Sequence, residues 1–181
     1  MRIYLTGFMG SGKSTVGTQL AAHLGWPFMD TDAWIEEQIG MRIPEYFAQE
    51  GEAAFRSREE DALAATAAHP SAVIATGGGM LVDSDRMQRA QQLGAVVYLR
   101  VDAETLYQRL APDAAHRPLL WDADDTPLTG DALRHHIAAM LRERTPAYEQ
   151  APIHVDAQAA PETVTRRIHH RFADYVCRPS E

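Results

Sequence analysis

The chain has 181 residues, of which 45% are hydrophobic and 23% charged; this suits one folded domain with a real core and excludes a disordered or fibrous protein. No apolar run approaches the roughly 20 residues of a membrane-crossing helix, and the opening MRIYLTG reads as a strand rather than as a secretory signal. The formal net charge of −8 with no basic stripe argues against a nucleic-acid partner, and the single cysteine, Cys177, allows no intrachain disulfide and suits a reducing cytosol.

The elements follow in chain order. IYLT (Ile3–Thr6) reads as a short buried strand. Glycines follow it, and then a helical run from about Ser14 to Leu24. PFMD (Pro27–Asp30) is a second strand. Helical patterns pass through Trp34, Ile35 and Ile39, and again from Phe55 to Ala67. AVIAT (Ala72–Thr76) is strongly strand-like and ends in three glycines. AVVYLRV (Ala95–Val101) is another strand, followed by a helix that carries Leu106 and Leu110. Residues 111–128 read as a loop with Pro112, Pro118 and Pro127. A helix is predicted from about Asp131 to Arg144, a last strand at IHVD (Ile153–Asp156), and a final helix near Pro161, where proline is favourable because its missing N–H would have no partner. Strands alternating with helices predict an α/β fold: a parallel sheet of about five strands between two helical layers. Ligands in such folds sit at the carboxyl ends of the strands. The Gly7 loop, Asp30, Gly77 and the segment after Val101 all lie there.

Gly7 to Ser14, GFMGSGKS, fits G-x-x-x-x-G-K-[ST] at every fixed position, with a strand before it and a helix after it. The glycines let the backbone wrap tightly and aim its N–H groups inward. The helix N-terminus adds partial positive charge. Lys13 is expected to reach the β- and γ-phosphates of a nucleotide, and Ser14 to offer its oxygen to Mg²⁺. Lys13 is also the only lysine in the chain, which hints that this position needs a compact ammonium. Mg²⁺ needs a carboxylate as well, and the AVIAT strand ends without one. The DTD at Asp30–Asp32 supplies two acids, one expected to face the metal and the other the acceptor; either could instead cap the following helix.

The acceptor must be recognised elsewhere. Gly77–Gly79 lets the backbone approach a ligand closely. Arg56 in FRSRE, Arg117 in HRPLL and Arg144 in RERTPAY have the planar fork that captures a carboxylate or phosphate. His135–His136 and His169–His170 are adjacent in sequence, so neither pair makes the i, i+4 face of a zinc site; they are read as surface residues. Trp26, Trp34 and Trp121 are read as packing residues, although Trp121, just after HRPLL, could be exposed.

The ordered set GFMGSGKSTVG, DTD, GEAAFRSREE, TGGG, RPLL, RTPAY and VDAQAAPETV resembles the shikimate kinase family over nearly the whole chain. The resemblance implies a single P-loop kinase domain over residues 1–181, with an acceptor-binding helical region at about 31–62 and a mobile lid at about 111–128. It implies ATP-dependent phosphorylation of the 3-hydroxyl of shikimate, with Mg²⁺, in a cytoplasmic monomer. Gly10, Ser11, Gly12, Lys13, Ser14 and Thr15 would hold the nucleotide, with Arg109 and Gln158 near the adenine and Arg117 swinging in from the lid. Ser14 and Asp30 would hold the metal. Asp32 would orient or deprotonate the attacking hydroxyl. Arg56 and Arg144 would grip the carboxylate, Gly77, Gly78 and Gly79 would add backbone contacts, and Phe47, Phe55 and Glu59 would complete the pocket. Two other readings remain open on the residues alone: a P-loop kinase for another small acceptor, such as gluconate or a nucleoside monophosphate, and a nucleotide-dependent regulatory protein.

Overall fold

The structure, a computed structural model, describes residues 1–177. Five strands form one sheet: β1 (Arg2–Thr6), β2 (Phe28–Asp30), β3 (Ala72–Ala75), β4 (Ala95–Arg100) and β5 (Ile153–Asp156). All pairings are parallel, in the order β2-β3-β1-β4-β5. Central strands carry apolar side chains on both faces, as a sheet covered on both sides requires: every residue of β3 is buried, whereas the edge strand β5 alternates buried and exposed.

The helices are α1 (Lys13–Leu24), α2 (Thr31–Ile39), α3 (Ile43–Ala65), α4 (Ser84–Leu93), α5 (Ala103–Leu110), α6 (Gly130–Tyr148) and α7 (Pro161–Val176). From β1 the chain crosses over to one side of the sheet, and from β3 to the other. Right-handed crossovers therefore put α1 and α4 on opposite faces. α1 packs with α7, and α5 packs with α6. The chain leaves β1 and β3 toward opposite faces of the sheet, which opens a crevice at their carboxyl ends. Among the described residues no helix is long and apolar enough to cross a membrane.

Four elements differ from the sequence expectation. α3 begins at Ile43, twelve residues before Phe55, with a break at Gly51 (φ 82); Ile43, Tyr46 and Phe47 stand at helical spacing in its first half, but Gly51 separates them from the run at Phe55. α6 continues past Arg144, through Pro146, to Tyr148. α4 is absent from the sequence expectation, although Met87, Ala90 and Leu93 mark one face of it and Asp83 caps it by accepting from the Asp85 and Arg86 amides at 3.1 and 3.0 Å. Residues 111–128 are not plain loop: they hold two 3₁₀ segments, Ala111–His116 and Pro118–Leu120. Leu120 is buried there, and Trp121 is half-buried with its indole N–H on the Ala114 carbonyl at 3.3 Å, so Trp121 is less exposed than expected.

Candidate active site

The loop between β1 and α1 is shaped by its own backbone. Gly7, Gly10 and Gly12 have φ of 140, 77 and 94, values that side chains disfavour. A Cβ on Gly7 would also lie 2.8 Å from the Leu99 carbonyl oxygen on β4. Lys13 is buried, and its ammonium donates to the Gly7 and Phe8 carbonyls at 2.8 and 2.9 Å. Burial pulls its pKa down to about 8; Asp32 and Asp30 oppose the shift, while Arg117 and Arg144 add to it. Three cations, Lys13, Arg117 and Arg144, thus lie close together where the sequence expected anionic phosphate. Ser11 is buried at the same turn, and Ser14 and Thr15 are exposed at the start of α1.

A cavity of about 370 Å³ opens beside this loop, lined by Gly10, Ser11, Gly12, Thr15 and Arg109 together with Ala157 and Ala159. Arg109 braces the rim, donating to Gly10 O at 3.2 Å and Ala157 O at 3.0 Å. Gln158 lies between two lining residues, but its side-chain oxygen accepts from the Thr105 hydroxyl at 3.2 Å.

The DTD turn joins the two halves of the site. Asp30 caps α2, its Oδ1 accepting from the Asp32 and Ala33 amides at 3.0 and 3.4 Å. Its other oxygen accepts from the Ser14 hydroxyl at 2.6 Å. The cap and the metal-side reading are therefore compatible in one carboxylate. Asp32 lies against Gly77, and its Oδ1 is buried without a protein partner. Burial raises its pKa to about 6; Asp30, Glu59 and Glu36 push the same way, and Lys13 opposes them. Thr31, between the two acids, is buried and accepts from the Gly77 amide at 2.9 Å.

The glycine triplet fits between these groups. A Cβ on Gly77 would lie 2.5 Å from Asp32 Oδ1, and one on Gly78 would lie 3.3 Å from the Met9 amide. The loops after β1 and β3 therefore touch at the crevice. On α3, Arg56 donates to Glu59 at 2.8 Å and to Glu52 at 3.0 Å. Burial works against its charge, but these carboxylates hold its pKa above the ordinary value. Phe55 and Phe47 meet edge to face at 5.9 Å, with Phe47 42% exposed. Glu59 is buried and also lies 3.7 Å from Arg86, so its carboxylate is shared by two guanidinium groups and steadies Arg56. Arg144 sits over the Phe8 ring at 5.7 Å. Arg117 pairs with Asp113 at 3.2 Å, while its Nε is buried without a partner.

Sequence reasoning missed three residues. Tyr148 donates to the Gly78 carbonyl at 2.6 Å; it stands four residues after Arg144, a spacing that marks it once α6 is known to continue. Arg86 is buried and donates to the Met80 carbonyl at 2.8 Å, but it lies on the unforeseen α4. Thr31 was passed over between two acids. Among the described residues no group of three or more His, Cys, Asp and Glu side chains could hold a metal ion. His169 instead meets His23 at 3.3 Å, and His136 meets the Leu119 carbonyl at 2.9 Å.

A parallel α/β/α sheet with a glycine loop, an invading lysine and a facing cluster of Asp32 and arginines defines a P-loop phosphotransferase. Comparison with known proteins narrows the class. The family model described as shikimate kinase matches residues 9–173. The shikimate kinase of Salinibacter ruber is 49% identical over 168 residues, 93% of this chain and 82% of that protein, and that of Nostoc punctiforme is 41% identical over 93% and 88%. The structure of shikimate kinase from Acinetobacter baumannii in complex with shikimate superposes with a TM-score of 0.84 at 33% identity, covering 98% of this chain and 95% of that one. The chain belongs to the shikimate kinase family.

Proposed function

We propose that this protein transfers the γ-phosphoryl group of ATP to the 3-hydroxyl of shikimate, giving shikimate 3-phosphate and ADP. The observation that carries the reading is the two-sided site: a phosphate loop with Lys13 on one side, and Asp32, Arg56 and Arg144 grouped around Gly77–Gly79 on the other.

Phosphoryl transfer asks the protein mainly for positioning and charge stabilisation. The loop amides from Gly10 to Thr15 and Lys13 would hold the phosphates, and the cavity beside Arg109 and Gln158 would take the adenine end. Lys13 would exchange its two carbonyl partners for phosphate oxygens. Arg56 and Arg144 would clamp the carboxylate, with Glu59 orienting Arg56 and the Phe47–Phe55 pair walling the pocket. Asp32, with an oxygen free of protein partners, would orient the attacking hydroxyl and take its proton as the new P–O bond forms and the bond to ADP breaks. Ser14 Oγ and Asp30 Oδ2 offer adjacent oxygens beside the loop, the donor type Mg²⁺ selects. When bound there, Mg²⁺ would neutralise charge on the phosphates.

Residues 1–181 are proposed to act as one domain, with the acceptor region at about 31–62 and a lid at about 111–128 that delivers Arg117 and excludes water. A monomer in the cytoplasm is the assembly and location proposed, in keeping with a single cysteine, Cys177, that is exposed and unpaired. The test is ADP release with ATP and Mg²⁺ and no acceptor, shikimate, gluconate or AMP. Stimulation by shikimate alone is expected. Stimulation by gluconate or AMP instead would leave the phosphate loop in place and overturn the acceptor assignment.

A further inference from the structure

Gly77–Met80 forms a β-turn, closed by the Met80 amide donating to the Gly77 carbonyl at 3.1 Å. Gly79, its third residue, has φ −102 and ψ −14, close to the values of a type I turn. A type II turn differs chiefly by reversal of the peptide between the second and third residues. It needs positive φ at the third, which glycine tolerates freely. With glycine at both central positions, the turn's own sequence leaves both forms open. A contact from outside the turn must choose between them.

The group that reverses is the Gly78 carbonyl, and it is the acceptor of the 2.6 Å hydrogen bond from Tyr148. Tyr148 is fully buried, and its ring stacks on Tyr98 with centroids 5.3 Å apart. Burial pushes the phenol up to about 12 against the opposing Arg144, so the hydroxyl keeps its proton at neutral pH and remains a donor. The peptide is planar and trans. Holding the Gly78 carbonyl toward Tyr148 therefore turns the Gly79 N–H the other way. Among the described residues, neither the Gly78 nor the Gly79 amide donates to a backbone carbonyl. Gly79 adjoins Arg56, whose Nη1 would lie 3.5 Å from a Cβ built there.

We propose that Tyr148 is a positioning residue that locks the Gly77–Met80 turn in its type I form and so keeps the Gly79 N–H available to the acceptor. That the acceptor is shikimate rests on the function proposed above. Because Tyr148 and Arg144 share a face of α6, the same residue ties the helix carrying one carboxylate clamp to the backbone that completes the cradle.

The test uses Tyr148→Phe, which keeps the ring and removes the hydroxyl. Tyr98→Phe is the control, since it removes a second hydroxyl from the same stack, one that lies near Thr145. KM for shikimate and for ATP is measured, together with shikimate Kd by calorimetry without nucleotide. Tyr148→Phe is expected to raise shikimate KM and Kd about five- to thirtyfold, the scale of an unsatisfied buried carbonyl, and to change ATP KM less than about twofold. Tyr98→Phe is expected to change neither. In a Gly79→Ala background, where positive φ at the third position is disfavoured, the effect of Tyr148→Phe is expected to shrink severalfold. Unchanged shikimate KM and Kd in Tyr148→Phe, or an equal effect in both backgrounds, would overturn the lock. Wild-type protein that ignores shikimate would overturn the proposed function, and the inference with it. Wild-type protein that uses shikimate and is indifferent to Tyr148→Phe overturns the inference alone.

Discussion

The phosphate loop and the acceptor cleft touch at Gly78 but are held in shape by different means. The loop is continuous in sequence, and its form comes from Gly7, Gly10 and Gly12 in conformations that side chains disfavour. The cleft draws on α2, α3, α6 and the turn after β3, and it is held by side chains reaching across: Thr31 to Gly77, Arg86 of α4 to Glu59, Tyr148 to Gly78. A site that only needs to recognise triphosphate can be written locally. A site that distinguishes one small acceptor from another needs groups at fixed distances on separate elements.

That contrast predicts where substitutions act, and by how much. The largest effect is expected from Lys13→Met. It removes the ammonium at the centre of the loop while leaving the glycine backbone intact, so turnover should fall by about a thousandfold or more with circular dichroism unchanged. Near-normal turnover would mean that the loop's amides suffice and that the lysine is dispensable.

Asp32→Asn comes next. On the acceptor side it should lower kcat about 10²- to 10³-fold, as for loss of a positioned proton acceptor, with ATP affinity by calorimetry nearly unchanged. Loss of nucleotide affinity would move Asp32 to the metal side and blur the division between the halves. Arg144→Ala should weaken shikimate binding by about 1.5–3 kcal/mol, the scale of a hydrogen bond to a charged group, and leave ATP KM unaltered. An unchanged shikimate KM would remove Arg144 from the clamp.

The last effect is on stability. The folded protein raises the Asp32 pKa from the ordinary 3.8 to about 6. Between those values the folded state binds more protons than the unfolded state, so stability falls as pH rises through that window. Without nucleotide or Mg²⁺, Asp32→Asn should therefore be more stable than wild type at pH 8, by up to about 3 kcal/mol, and the gain should vanish near pH 4. Thermal melts across pH 4–8 check this. A variant less stable at pH 8 would show that the Asp32 carboxylate is supported by the fold rather than strained by it.

The sequence by itself determined the donor half. A tight backbone needs glycine at set positions, and a phosphate needs a cation and a hydroxyl beside it, so eight consecutive residues announce the loop. The central strands were legible for a similar reason, because burial on both faces demands short, unbroken apolar runs such as Ala72–Ala75, whereas the edge strand β5 shows as an alternation. Asp30, Asp32, Arg56 and Arg144 could be singled out by residue type and by the company they keep. Which of the two acids faces Ser14 came only from the family resemblance, because residue type alone does not say how α2 leaves β2. Only the tertiary structure decided that Asp30 serves both as helix cap and as partner of Ser14, that Arg86 on α4 stands behind Glu59, and that α6 runs through Pro146 far enough to bring Tyr148 onto Gly78. In each case the deciding contact joins residues from separate elements, and local propensity holds no record of a distance that only packing sets.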